Sequence, residues 1–540
     1  MARHPLFQQV LRLARLAGTA DRHGLETEQA IALAQREHDA ARDWSRRQVL
    51  GIGASAALAS TLGARALAAA PKVKPGFGGK IAILGGGLAG LTAADRLATA
   101  GIAATIYEAS GRLGGRQHSD RTTFPGQAAE IGGELIDNLH KTMLGYANAF
   151  GLALEDLGKV PGEETYYFAG KHWGSAQIVD EMRVFTARAG VDFKASSGGP
   201  TAFSYNAADV KLDHETLESF LNRHTTDMPL VRAVLSEAYE AEYGRATSDQ
   251  SALNLLLFVH FDRRSKFTPY GVFSDERYHV VNGNDLIAQG IAAKLPGPAV
   301  FGARITGLDR GTDGRYRITI QGQKQPALAD AVICTLPFSV LRAQVKLGAG
   351  LKLSPEKLYA IQAVGYGTNT KTMIGFDGRP WLSHASKGTV YSDLPELQAA
   401  WETNPTKGGA TSILTDYASA ARGEAIGGRP LQSAVSAFLS DLDKVWPGAA
   451  AAAHRDGGQV RAVRAAWPVN PNSLGSYTCY KPGQFTTISG HEGTAAGQLK
   501  FAGEHADLFA NAQGFMEGAC ASGIRAAVEV LADIKAGKIV

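Results

Sequence analysis

An α/β fold, a parallel sheet with crossover helices interrupted by an inserted α+β domain, is predicted by three observations. The first is Lys80-Ile-Ala-Ile-Leu-Gly-Gly-Gly-Leu-Ala-Gly90, where a short apolar run meets Gly85, Gly87 and Gly90 and a helical pattern opens in the same turn. The second is Ala104-Thr-Ile-Tyr-Glu108, a brief strand that ends in an acid. The third is that strand and glycine signals of this kind return after about residue 276 and again near the C-terminus, so the motifs of one domain are scattered over three segments with other material inserted between them.

Each element has a physical justification. Gly85 makes the tight turn, Gly87 lets a pyrophosphate approach the backbone, and Gly90 lets the helix pack closely on the strand. Phosphates then sit over Leu88 and Ala89, on the free N–H groups and positive dipole end of the helix. Glu108, about twenty residues on, is placed to accept hydrogen bonds from a ribose hydroxyl, with Ala109 beside it. Strand, glycines, helix, strand and acid stand in the order of a Rossmann-like unit that binds an adenine dinucleotide. Gly111-Arg-Leu-Gly-Gly-Arg116 follows at once, supplying Arg112, Gly115 and Arg116. A second glycine–arginine loop suits FAD, which must be held along its whole length. Near the C-terminus Phe501-Ala-Gly-Glu504-His505, with Gly503, closes a strand, and Gly514-Phe-Met516 opens a helix. A helix N-terminus aimed at an isoalloxazine ring would stabilise its anionic reduced form.

Taken in order, these motifs resemble those of the flavin-containing amine oxidases, which include monoamine and polyamine oxidases and L-amino-acid oxidases. The resemblance covers roughly residues 78–540 and implies a glutathione-reductase-like FAD domain with an inserted substrate-binding domain. It implies oxidation of an amine or L-amino acid to its imine, with O2 as acceptor and H2O2 as product. Such chemistry needs a neutral amine in a dry slot, and aromatic side chains supply one. Tyr477 in Gly475-Ser-Tyr-Thr-Cys479 and Phe515 match the family's aromatic cage, and Trp467 in Ala466-Trp-Pro468 is expected beside the flavin ring. Lys371, in the alternating strand Thr370-Lys-Thr-Met-Ile-Gly-Phe376, matches the lysine that holds a water at flavin N5 and assists reoxidation. Ser476 stands where some members carry the cysteine that links FAD, so FAD is expected to be non-covalent. The loop at Pro337 resembles the second FAD-contacting loop, and Glu130-Ile-Gly-Gly-Glu-Leu-Ile-Asp137, with Gly132 and Gly133, resembles the segment that passes the flavin. Several L-amino-acid oxidases place an arginine after that glycine pair to grip the substrate carboxylate, and here the residue is Glu134. Asp137 falls where some polyamine oxidases hold an acid for a distal ammonium, so Glu134 and Asp137 are candidate substrate residues, the alternatives being that they are solvated or paired with Lys141. The substrate expectation is an L-α-amino acid, against a monoamine or polyamine, a C–C desaturase substrate, or a dehydrogenase with a periplasmic acceptor.

Composition removes other classes. A net charge of +4 over 540 residues, with no basic stripe, gives no reason to expect a nucleic-acid partner. Cys334, Cys479 and Cys520 form no CxxC pair and the histidines show no ligand spacing, so neither a disulfide framework nor a metal site is expected. Ser45-Arg46-Arg47 before an Ala/Gly-rich run reads as a twin-arginine export signal, which implies that export machinery and a periplasmic or secreted address; without it the protein would be cytoplasmic. The expected organisation is an N-terminal extension at 1–77 outside the catalytic fold. The FAD domain is placed at 78–150, 276–350 and 468–540, and the substrate domain at 151–275 and 351–467. A homodimer is compatible with this arrangement.

Overall fold

A computed structural model describes most of residues 10–34 and all of 77–255, 276–507 and 512–539. Ile81–Leu84 (β1) buries all four of its residues, as a strand covered on both faces must. It sits at the centre of a five-stranded parallel sheet with Thr105–Tyr107 (β2), Ala299–Val300 (β3), Ala331–Cys334 (β4) and Leu499–Phe501 (β5), in the order β5-β4-β1-β2-β3. Ile83 is in register with Ile333 on one side and Ile106 on the other. Strands from three separated parts of the chain therefore form one sheet. The helix Leu88–Thr99 (α1) links β1 to β2, and the C-terminal helix Met516–Lys535 (α2) packs against it. The helices approach closely because Gly523 has no side chain; a Cβ there would lie 2.2 Å from the Ala89 carbonyl oxygen.

The second sheet has seven strands. Their order is Ala462–Ala466, Thr370–Asp377, Thr411–Ala418, Ala399–Glu402, Ser386–Ser392, Glu163–Phe168 and Lys171–Trp173. One face packs on the helix Leu431–Val445, burying Ile374, Phe376, Leu414, Phe438 and Trp446 together. The alternate residues of the same strands face the other way, and this face carries Lys371, Trp401 and Tyr417 to the site described below. Strand alternation thus decides which residues serve the core and which the site.

The inserted region opens on helices whose ends are set by local sequence. Pro229 starts Pro229–Tyr243, which ends at Gly244 in the left-handed conformation. Leu217–His224 is capped by Thr216, whose Oγ1 accepts from the Ser219 N–H at 3.1 Å. Asp213 lies in the last turn of the preceding helix, Ala207–His214, and its carboxylate accepts from Ser251 and Thr486.

The N-terminal segment departs from expectation. Val10, Leu13, Leu16 and Ala17 are buried in one core with Ile178, Val179, Met182 and Phe185 of the helix Ser175–Ala195. Arg183 pairs with Asp21 at 2.6 Å. Described residues within 10–34 are part of the packed body, not an extension outside it, because they carry their own apolar stripe. The Arg46-Arg47 pair lies outside the described residues. No helix among the described residues is long and apolar enough to cross a membrane.

Candidate active site

One long cavity runs from the end of β2, past the β1–α1 turn, to the face of the seven-stranded sheet. At its first end Gly85 turns with φ +105°, a conformation L side chains rarely adopt. Gly90 does not reach the wall: a Cβ there would stand 2.1 Å from the Gly85 carbonyl oxygen, so its role is the close helix–strand contact. Gly87 is the N-cap of α1 and no side chain caps it, leaving the first N–H groups of the helix to whatever occupies the cavity. Glu108 is held in place by three donors. Its Oε2 accepts from Gly86 N–H at 2.7 Å, and Oε1 accepts from the N–H and hydroxyl of Ser110 at 2.8 and 2.7 Å. An ionised carboxylate has about four acceptor positions, so one remains for a ribose hydroxyl.

The glycine–arginine loop ties the ends of the cavity together. Arg112 donates to the Gly115 carbonyl at 2.7 Å, and burial holds its guanidinium below the usual range despite the opposing pull of Glu108 and Asp285. Arg116 donates to the Ser476 carbonyl at 2.5 Å and to Glu504 at 2.9 Å. Glu504 in turn accepts from the Thr478 hydroxyl at 3.0 Å. A loop near residue 115 and the segment after β5 therefore clamp the stretch that carries Tyr477.

The far end of the cavity is aromatic. Tyr477, Phe515 and Trp467 line it together with Trp401 and Tyr417. The Tyr417 and Tyr477 hydroxyls are 2.6 Å apart, and Tyr477 donates onward to the Ala241 carbonyl at 3.1 Å. Lys371 lies directly opposite Tyr417 in the strand register. Its ammonium donates to Glu134 Oε2 at 2.7 Å and to the Gly132 carbonyl at 3.2 Å, and Glu134 Oε1 accepts from Trp401 Nε1 at 2.9 Å. Both members of this ion pair have side chains 5% exposed. Gly133 gives room to Met516 at the start of α2, since a Cβ there would meet the Met516 sulfur at 2.9 Å.

The structure thus brings Lys371, Tyr477, Phe515 and Trp467 onto one cavity wall. Gly85, Gly87, Leu88, Ala89, Glu108, Ala109, Arg112, Gly115, Arg116, Gly132, Gly133, Glu134, Pro337, Gly503, Glu504, Gly514 and Met516 line the same cavity. Asp137 does not belong to it. At Ile136 the chain bridges to Tyr278 and turns from the cavity. The Asp137 carboxylate is buried, accepting from the Glu276 N–H at 2.8 Å and lying 3.3 Å from His140 Nε2. Glu134 pairs with Lys371 rather than Lys141, which donates to the Asn138 carbonyl. Trp401 and Tyr417 were not expected, because only the strand register places them beside Lys371 and Glu134.

Residues 88–531 match the family model described as flavin containing amine oxidoreductase. An L-amino-acid oxidase of Siganus canaliculatus is 25% identical over 480 residues, covering 83% of this chain and 85% of its own. The flavin-dependent L-tryptophan oxidase RebO of Lentzea aerocolonigenes is 25% identical over 453 residues, covering 79% and 93%. Among solved structures, cyclohexylamine oxidase from Brevibacterium oxydans IH-35A superposes with a TM-score of 0.72 at 18% identity, covering 85% of this chain and 99% of that one.

Proposed function

Because the chain belongs to the flavin-containing amine oxidoreductases and is an FAD-dependent amine or amino-acid oxidase, we propose that it deaminates an L-α-amino acid oxidatively, releasing ammonia and reducing O2 to H2O2. The observation that carries this reading is the convergence of Lys371, Tyr477, Phe515 and Trp467 on the cavity that begins at the dinucleotide turn. The residues present fit FAD: an uncapped helix N-terminus for the pyrophosphate, an acceptor on Glu108 for the ribose, and aromatic walls at the far end for a ring. When bound, FAD supplies the hydride acceptor and passes electrons to O2. The protein does the rest. Tyr477, Phe515 and Trp467 keep the slot dry, which favours the neutral amine needed to expel a hydride. With FAD bound, Lys371 would set a positive charge, and a water held by its ammonium, beside the ring. Ser476 offers no thiol and donates to Asn369, and Cys479 is buried two residues beyond Tyr477, so FAD is held without a covalent link.

The amino-acid substrate is supported by the names of the sequence relatives. A second reading, a non-carboxylated amine, is supported by the Glu134–Lys371 pair, which commits a wall cation that could otherwise meet a carboxylate. Matched pairs of L-amino acid and decarboxylated amine, assayed for ammonia and peroxide, separate the two. Faster turnover of the amino acids in equimolar yield of both products supports the first reading, and faster turnover of the amines overturns it.

A further inference from the structure

We propose that Glu134 is a positioning residue that aims the Lys371 ammonium and offsets its charge, so that the wall beside the flavin presents a neutral pair and Glu134 sets how well that wall accepts an anion. This rests on the reading of Lys371 as a group at the flavin face.

Three observations carry the proposal. An ammonium has three N–H donors. Glu134 and the Gly132 carbonyl take two of them, which leaves one for the cavity that both side chains line. Glu134 is itself fixed from two sides. Trp401 Nε1 donates to its second oxygen, and the Asn284 amide donates to the Gly133 and Glu134 carbonyls at 3.0 and 2.6 Å, setting the turn from which the side chain projects. Finally, the pair is almost wholly out of solvent, so its charges are weakly screened and their sum governs the field in the cavity.

Charge alone makes a signed prediction. Glu134→Gln leaves the wall positive, Lys371→Met leaves it negative, and the double substitution restores neutrality. The midpoint potential of bound FAD, measured by spectroscopic redox titration at mildly alkaline pH, should rise in Glu134→Gln and fall in Lys371→Met. Each shift should correspond to about tenfold or more in the reduction equilibrium, near 30 mV for a two-electron couple. The double variant should lie within about threefold of the parent. Glu134→Asp, which disturbs geometry but keeps the charge, should stay near the parent, so a structural defect is told apart from an electrostatic one. Benzoate should bind about tenfold tighter to Glu134→Gln, with benzamide, its neutral counterpart, little changed. If Lys371→Met lowers the potential and Glu134→Gln leaves it unmoved, the role given to Glu134 is wrong and that of Lys371 survives. If both single variants shift the potential in the same direction, Glu134 acts through structure and the proposal is overturned. If neither shifts it, the reading of Lys371 at the flavin face fails with it.

Discussion

At the scale of the residue, Tyr477 is positioned by two hydrogen bonds and a clamp. Its hydroxyl meets Tyr417 and the Ala241 carbonyl, and the preceding carbonyl of Ser476 is held by Arg116. Replacing it with alanine opens the slot to water, so a bound amine's pKa returns towards its value in solution. We expect turnover of Tyr477→Ala to fall by about tenfold or more, roughly 1.4 kcal/mol of barrier. The rising limb of its pH–rate profile should move to higher pH, because a higher amine pKa means the neutral form appears later. Tyr477→Phe keeps the ring and should leave the limb in place. A limb unmoved in the alanine variant would show that the cage does not set the amine's protonation.

At the scale of the element, the segment Glu130–Glu134 shows how local sequence and distant contacts share the work. The glycine pair and Glu134 were legible as cavity lining, since the motif is contiguous. What they contact was not: Asn284 and Trp401 come from elements more than 140 residues away. Trp401 and Tyr417 lie on strands in which nearly every residue is buried, so no alternation marks the inward face. Lys371 was legible by motif position, but its partner required the fold. Glu130 yields a stability prediction. Burial lifts its carboxyl to about 7, against the opposing pull of the Asn284 N–H, from an ordinary 4.5. The folded protein therefore binds a proton that the unfolded chain releases between those values. Its contribution is present in full below about pH 4.5 and is lost as pH rises through about 7, on the order of 3 kcal/mol at most. Glu130→Gln keeps the acceptor for Asn284 without an ionisable group. Urea unfolding of the variant should show a stability curve flatter than the parent's across that window, and identical slopes would refute the assignment.

At the scale of the whole molecule, the site exists because segments spread along the chain meet. The Rossmann-like core could be read directly, because each glycine acts within a few residues of its strand. The cavity wall could be read only in part, because the Arg116–Glu504–Thr478 network and the Lys371–Glu134 pair join positions hundreds of residues apart. Asp137 was misplaced for the same reason: sequence spacing does not reveal the bridge at Ile136 that turns it away. Residues 10–34 were misread because a charged lead-in with a twin-arginine pair after it hides the stripe of Val10, Leu13 and Leu16. One prediction belongs to the assembled holoprotein. With serine at 476, acid precipitation should release the flavin colour wholly into the supernatant, and colour kept in the pellet would contradict non-covalent binding.

The central claim, that this cavity oxidises the C–N bond of an amine and hands the electrons to O2, is tested most directly by separating its two half-reactions. The holoprotein is mixed anaerobically with an L-amino acid and, in parallel, with its decarboxylated amine, while flavin absorbance is followed; the reduced protein is then mixed with oxygenated buffer. The account predicts bleaching by at least one member of each effective pair, faster with the amino acid, and rapid return of the oxidised spectrum with peroxide formed. A flavin that no amine or amino acid reduces, or a reduced flavin that persists in air, would contradict it.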